Sequence, residues 1–372
     1  MTSKSIGTVG TQYFTFAEEA PFTLESGRTL GPVTLAYETY GKLNAEKSNA
    51  ILVMHAFSGN AHAAGIHAED ADLGWWDFMI GPGKALDTEK YFMICVNVIG
   101  GCKGSTGPSS VNPKTGKPYG IDFPLITIGD MVKTQKHLID HLGIQKLYGV
   151  IGGSMGGMLT LQWVAAFPGS VQHVILIATT LKHSAQQIAF NEVGRQAIMA
   201  DPAWDGGNYY EGTFPSKGLA VARMLGHITF MSNDSMEKKF ARRLKDDTTD
   251  FKFCADFEVE GYLQYRGMSF VKRFDANTYL YITKAMDYFD LSDGKWIPET
   301  GLPDTRFLVI AFKSDWLYPP VQSQEMVRQL QMHRIAATYC ESDSTYGHDT
   351  FLIEKEAEKQ SHLIKHFLAK GQ

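Results

Sequence analysis

The stretch Val150-Ile151-Gly152-Gly153-Ser154-Met155-Gly156-Gly157 decides how the rest of the chain is read. Before it, Leu147 to Ile151 is mostly apolar and reads as a buried strand. After it, Met158 to Phe167 has helical spacing and good helix formers. Between the two lies Gly-x-Ser-x-Gly, formed by Gly152, Ser154 and Gly156. A strand that becomes a helix within three residues forces strained backbone angles on the serine. Small residues on either side let neighbouring chain pass close. The hydroxyl is then held proud of the sheet edge, at a helix N-terminus whose dipole favours developing negative charge. The plainer alternative is a glycine-rich turn that happens to hold a serine. The strand before it and the helix after it favour the nucleophile.

Working outward, the N-terminal half alternates strands with helices. Residues 1–20 read as an extended arm. Val33 to Tyr40 alternates like a half-buried strand, and Ala50 to Ala56 is a nearly continuous apolar run of the kind covered on both faces. Tyr91 to Ile99 is another apolar strand, Ile128 to Leu142 a helix closing at Gly143, and Val171 to Ala178 the next strand. The pattern then changes. From about residue 182 to 300 the chain reads as helices (His183 to Ala200, Lys217 to Ser232, Met236 to Lys245, Glu258 to Ser269 and Asp275 to Tyr288), richer in charge and aromatics. Strand Arg306 to Phe312, helix Val321 to Leu330, strand Ala336 to Cys340 and a last helix to about Ala369 resume the first pattern. The expected architecture is a mostly parallel sheet with helices on both faces, built from 1–181 and 301–372, with 182–300 inserted as a helical lid.

Three features line up on that frame. Ser154 sits at an elbow, Asp315 follows an apolar strand, and His348 lies just after the last strand in a Gly-His-Asp turn. The order Ser…Asp…His is that of the α/β-hydrolase fold, not of the two other common serine-triad folds. The chemistry needs these types. A serine hydroxyl is a weak nucleophile at neutral pH, so an imidazole must take its proton and a carboxylate must fix the imidazole tautomer. Asp315 could instead cap a loop. The other histidines fall on strands, helices or N-terminal loops, where core or solvated roles are expected, and His67 has no partner that the sequence identifies. Two backbone N–H groups should form an oxyanion hole, one from Met155 after the nucleophile and one from the loop after the His55 strand, assigned to Phe57.

Composition bounds the classes of function. The chain has 372 residues, 44% hydrophobic and 20% charged, with a net charge of -5. That balance gives no reason to expect nucleic acid or an anionic membrane as a partner. No apolar run is long enough to span a bilayer, and Met1 to Glu18 lacks the apolar segment of a secretory signal. Cys95, Cys102, Cys254 and Cys340 form no Cys-x-x-Cys pair and read as reduced thiols of a cytoplasmic protein. Gly101 to Gly107 is glycine-rich, but neither phosphate-binding glycine signature is present. His55, His62 and His67 lack metal-ligand spacing, so no metal is expected.

The chain resembles the homoserine O-acetyltransferase family of the α/β-hydrolase superfamily over nearly its whole length. The resemblance is carried by Ala36-Tyr37-Glu38-Thr39-Tyr40-Gly41, His55-Ala56 with Gly59 and His62, Gly81-Pro82-Gly83-Lys84, Asn97 through Pro108, Gly152 to Gly157, Ala222-Arg223-Met224, Arg273 to Asn277, and Gly347-His348-Asp349. It implies that a serine takes an acetyl group from acetyl-CoA and passes it to the hydroxyl of L-homoserine in methionine biosynthesis. No cofactor is permanently bound, and a homodimer is implied. By motif position Ser154 is the nucleophile, with Asp315 and His348 as its partners. Arg223 matches the arginine that holds the substrate carboxylate, and Asp349 the acid that receives its ammonium. Without the resemblance both read as surface ion-pair residues. The chain departs from the family at Phe230, where tyrosine is frequent, and in Ala56-Phe57-Ser58-Gly59, where leucine and threonine are common. Succinyl-CoA as donor and L-serine as acceptor occur in the family and stay open. A carboxylester hydrolase, which needs the triad but not Arg223 and Asp349, is the rival from another class, and a non-catalytic binding protein the third reading.

Overall fold

The computed structural model describes residues 5–69, 71–246 and 251–369. Among them an eight-stranded sheet runs through the molecule. Its strands are β1 (Gln12–Phe16), β2 (Val33–Tyr40), β3 (Ala50–Met54), β4 (Phe92–Val96), β5 (Leu147–Gly153), β6 (Val171–Ile177), β7 (Arg306–Phe312) and β8 (Ala337–Ser342). The spatial order is β1-β2-β4-β3-β5-β6-β7-β8. β1 and β2 are antiparallel additions at one edge, and β3 to β8 pair in parallel. Residues 12–16 of the arm expected to be merely extended therefore form the edge strand. Residues 1–4 of that arm lie outside the described residues.

The strands that read as continuous apolar runs are those covered on both faces. Every residue of β3 and of β5 is buried. Side chains alternate between two cores, as strand geometry requires. Val174 and Leu176 of β6 join one cluster, Ile175 and Ile177 the other. Helices α1 (Ile128–His141) and α2 (Met155–Ala166) close the first cluster through Met131, Leu138, Met158 and Leu161. The closing helix α9 (Ala357–Ala369) closes the second with Ile364 and Leu368. β3 lies between β4 and β5, so the chain's winding reverses there. A crevice forms beyond the carboxyl ends of the strands at such a reversal, and that is where β5 delivers Ser154.

Between β6 and β7 the chain forms α3 (Ala185–Met199), α4 (Ser216–Phe230), α5 (Asn233–Lys239), α6 (Glu258–Val271) and α7 (Ala276–Tyr288). Helix α4 packs on both α3 and α6. The last of the five is bound into the main core: Tyr281, Ile282, Ala285 and Met286 join its first cluster, and the Tyr281 hydroxyl donates to the Ile121 and Phe123 carbonyls. The helix expected over 236–245 runs earlier. Ser232 caps its start by accepting from the Ser235 N–H, and Ala241 turns into the left-handed region at φ 45°. After β7 come α8 (Pro320–Met332) and β8. No helix among the described residues is long and apolar enough to cross a membrane.

Candidate active site

Ser154 stands between β5 and α2 with φ 56° and ψ -125°, the left-handed backbone that the abrupt turn demands. The cost of that conformation for a non-glycine residue is of order 1–3 kcal/mol and persists only where the surroundings fix it. They do. The Ser154 N–H donates to the Ile177 carbonyl at 2.9 Å, and Thr179 Oγ1 donates to the Ser154 carbonyl at 2.8 Å. The flanking glycines are required by closeness. A Cβ on Gly152 would lie 2.2 Å from the Gly156 carbonyl oxygen, and one on Gly156 would lie 2.2 Å from that of Met54.

The structure brings the three residues of the Ser…Asp…His series into one hydrogen-bonded line. His348 Nε2 lies 2.9 Å from Ser154 Oγ, and His348 Nδ1 lies 2.7 Å from Asp315 Oδ2. All three are buried. The other carboxylate oxygen, Asp315 Oδ1, accepts from the N–H groups of Leu317 at 3.0 Å and Tyr318 at 2.8 Å. A carboxylate only accepts, so His348 must carry its proton on Nδ1, which leaves the Nε2 lone pair facing the serine hydroxyl. Burial opposes charge on His348, but the charge and hydrogen bond of Asp315, with Asp349 beyond, raise its pKa above the ordinary imidazole value.

A narrow cavity of about 60 Å³ adjoins Ser154, with Phe57, Arg223, Phe230, Tyr279 and Tyr318 among its walls. A single water needs roughly 10–15 Å³ on this measure, so the space suits a small acyl group rather than a long chain. The backbone N–H groups of Met155 and Phe57 donate to no group among the described residues, which leaves both available. Arg223, on α4, is held by its surroundings without being neutralised. Its Nε donates to His227 Nε2 at 3.2 Å, Nη1 reaches Ser58 Oγ at 3.4 Å, and its guanidinium lies over Phe270 and Phe230. No carboxylate among the described residues pairs with it. Burial lowers its pKa to about 10, so it stays a cation. Asp349 follows His348 in the chain, lies outside that cavity's wall, and makes no hydrogen bond or ion pair among the described residues. Burial raises its pKa, against the pull of His348 and Arg223.

Some of what surrounds the line was not visible in sequence. Tyr318 stacks its ring on that of His348 with centroids 4.9 Å apart. Its hydroxyl meets His183 Nε2 at 2.7 Å; His183 Nδ1 meets Asp287 at 3.0 Å, and Asp287 pairs with Arg195 at 2.7 Å. A buried relay thus runs from α3 and α7 to the ring that backs His348. The spacing of Asp315 and Tyr318 was the available signal, but the partner of the Tyr318 hydroxyl, His183, is 135 residues away in the chain. Gly347, at φ 85°, admits the end of α4: a Cβ there would lie 2.6 Å from the Phe230 carbonyl oxygen. His67, for which the sequence supplies no partner, meets Glu38 through Nε2 at 2.8 Å. His62 Nδ1 meets the other oxygen of Glu38 at 2.9 Å, so one buried carboxylate on β2 ties down the loop after β3.

An elbow serine after β5, an aspartate after β7 and a histidine after β8, on a sheet of this order, define an α/β hydrolase. A family model described as alpha/beta hydrolase fold matches residues 49–355. A homoserine O-acetyltransferase of Methanohalobium evestigatum is 58% identical over 372 residues, covering 99% of this chain and 75% of its own. Among solved structures, a homoserine O-acetyltransferase from Bacillus anthracis superposes with a TM-score of 0.89 at 33% identity, covering 97% of this chain and 98% of its own. Esterase E22 superposes with a TM-score of 0.87 at 32% identity, covering 97% and 100%. The chain belongs to the homoserine O-acetyltransferase family.

Proposed function

We propose that this chain transfers an acetyl group from acetyl-CoA to the hydroxyl of L-homoserine in methionine biosynthesis, through an acetyl-serine intermediate. Ser154 is the nucleophile. His348 Nε2 takes its proton as Oγ attacks the thioester carbonyl, and Asp315 keeps the imidazole in the required tautomer and stabilises its charged form. The oxyanion is received by the N–H groups of Met155 and Phe57. The C–S bond breaks and the thiol leaves with the proton from His348. The same imidazole then deprotonates the homoserine hydroxyl, which attacks the acetyl-serine carbonyl and releases Ser154.

The observation that carries this reading is Arg223: a cation on the wall of the Ser154 cavity, held by aromatic rings and short of a carboxylate. A guanidinium placed so suits an α-carboxylate, with Asp349 as the partner for the ammonium. Helices of 182–300 act as the lid that keeps water from the acyl-enzyme. The protein works in the cytoplasm as a homodimer. Esterase E22, of closely similar fold, supplies the rival reading, in which water is the acceptor.

The test is a matrix of acetyl-CoA and succinyl-CoA against L-homoserine, L-serine and water, with mass spectrometry of the protein after donor alone. The proposal predicts an acetyl adduct on Ser154 and its discharge by L-homoserine far faster than by water. Absence of an adduct together with full activity of Ser154→Ala would falsify the mechanism. A preference for succinyl-CoA, L-serine or water would reassign the substrates.

A further inference from the structure

Outside the reacting line, cations gather on the helices that cover the site. Arg223 on α4, Lys239 on α5, Arg266 on α6 and Arg273 just after α6 lie around two aromatic rings. The Phe270 ring has the Arg223 guanidinium 4.6 Å from its centroid and that of Arg273 at 5.1 Å. The Tyr262 ring has Lys239 Nζ at 4.1 Å and the Arg266 guanidinium at 5.3 Å. The two rings are linked to each other through the site, since the Tyr262 hydroxyl meets His227 Nδ1 at 3.4 Å and His227 accepts from Arg223. Arg273 Nη1 also donates to the Ser58 carbonyl at 3.1 Å, on the loop whose Ser58 hydroxyl Arg223 touches.

Lys239, Arg266 and Arg273 are exposed, and none pairs with a carboxylate among the described residues. Most solvated lysines and arginines are spread among opposite charges. Here like charges are drawn together by aromatic faces, on a chain whose net charge is -5. Partial burial lowers the pKa of Lys239 and of Arg273; Arg266 adds to the lowering in both, at Arg273 after an opposing pull from Cys102. An assembly of this kind is stabilised by a polyanion. Lying beside the wall of the Ser154 cavity, it is placed to bind the part of an acyl donor that stays outside while the acyl group enters.

We propose that Arg266, Arg273 and Lys239 form a rim that binds the phosphate groups of the thioester donor. The inference rests on the reading of the donor as acetyl-CoA. It adds where the nucleotide end is held: in exposed contacts to α5 and α6, apart from the atoms that react. Arginine suits phosphate through paired hydrogen bonds, and lysine as a point charge.

The experiment compares acetyl-CoA with acetyl-pantetheine, which carries the same thioester and arm but no phosphate, both with L-homoserine as acceptor. In wild type, kcat/KM for acetyl-CoA is expected to exceed that for acetyl-pantetheine by about tenfold or more, and the ratio should fall as salt is raised. In the double variant Arg266→Ala with Arg273→Ala that ratio should collapse towards one, and the lysine pair Arg266→Lys with Arg273→Lys should restore part of it. Because the readout is a ratio of donors, loss of correctly folded enzyme cancels. A ratio unchanged by the alanine pair overturns the proposal, as does a wild type that uses both donors equally. If no donor supports transfer to L-homoserine, the fault lies with the proposed reaction, not with the rim.

Discussion

Replacing Asp315 with asparagine should disable the enzyme by misdirecting one proton. Asp315 Oδ1 accepts from two backbone N–H groups, those of Leu317 and Tyr318, and Oδ2 accepts from His348. In Asp315→Asn the amide oxygen must stay on the backbone side, because a flip would set an NH₂ group against two buried donors at about 1–3 kcal/mol each. The NH₂ group therefore faces His348 Nδ1, which must accept. The imidazole proton moves to Nε2, and the base can no longer take the hydrogen of Ser154. Loss of the correct tautomer costs about 10³–10⁴ in kcat, roughly 4–5.5 kcal/mol. The fold keeps both backbone contacts, so thermal melting should move by only a few degrees. The pH profile supplies a second readout. Wild-type kcat/KM should rise with pH through a His348 value above the ordinary imidazole range, because Asp315 outweighs burial. Without the carboxylate charge burial dominates, and any residual acidic limb should move below about 6.5. Single-turnover acetylation of Ser154, followed by quenched mass spectrometry, measures the loss directly. A folded Asp315→Asn protein acetylated within tenfold of the wild-type rate would refute the tautomer argument.

Three further predictions test other parts of the structure. Arg223→Ala should lower kcat/KM for L-homoserine by roughly a hundredfold and raise the share of acetyl-enzyme lost to water, read as thiol released per O-acetyl product; Arg223→Lys should recover only part, since an ammonium cannot form the paired contact. Gly156→Ala places a methyl 2.2 Å from the Met54 carbonyl oxygen, a clash with backbone that cannot be relieved by a rotamer. It should cost more than about 3 kcal/mol, seen as a large fall in melting temperature or loss of soluble protein. Glu38→Gln removes the charge that His62 and His67 share and should cost about 3 kcal/mol at neutral pH by urea denaturation. Burial pushes the Glu38 pKa up, but its histidine hydrogen bonds hold it below the ordinary carboxylate value. Its contribution is therefore present above the unfolded pKa of about 4.3 and lost as pH falls through the lower folded value, so wild type and variant should converge in acid.

How far the sequence could be read depended on whether a signal was local. The elbow is local: strand, Gly-x-Ser-x-Gly and helix occupy some twenty consecutive residues, and the structure places them as that pattern implies. The apolar runs of β3 and β5 declared their burial for the same reason. Asp315 and His348 needed one more step, since only their position after predicted strands marked them. The edge strand Gln12–Phe16 was missed because its burial alternates weakly, with the pattern exposed, exposed, intermediate, exposed, intermediate. Its strand identity comes from pairing with β2, not from its own composition. The His183–Asp287–Arg195 relay and the Glu38–His67 contact were illegible because each joins residues far apart in the chain. Neither has a periodicity or a motif; each exists only once the sheet has brought its ends together.

The feature that separates acetyl transfer from hydrolysis cannot lie in the fold alone, since an esterase shares it at 32% identity and a TM-score of 0.87. Hydrolysis needs a nucleophile, a base and an oxyanion hole, and an acyl-enzyme made by those parts alone will yield to water, which is far more concentrated than any amino acid. A transferase must offset that excess by holding its acceptor in place, and effective molarities reachable by good orientation are well above that of water. The groups able to do so here come from outside the sheet. Arg223 is on α4, which also seats Phe230 beside His348 and reaches the base loop through the close approach at Gly347. The acid loop is tied to the same helix end, where Trp316 Nε1 donates to the Met231 carbonyl at 2.9 Å. The helix that carries Arg223, the proposed anchor of the acceptor, is thus fastened to both loops that carry His348 and Asp315. On the proposed role of Arg223, these contacts set the acceptor's anchor and His348 on one packed unit, and this is what would hold the incoming hydroxyl in register with the base.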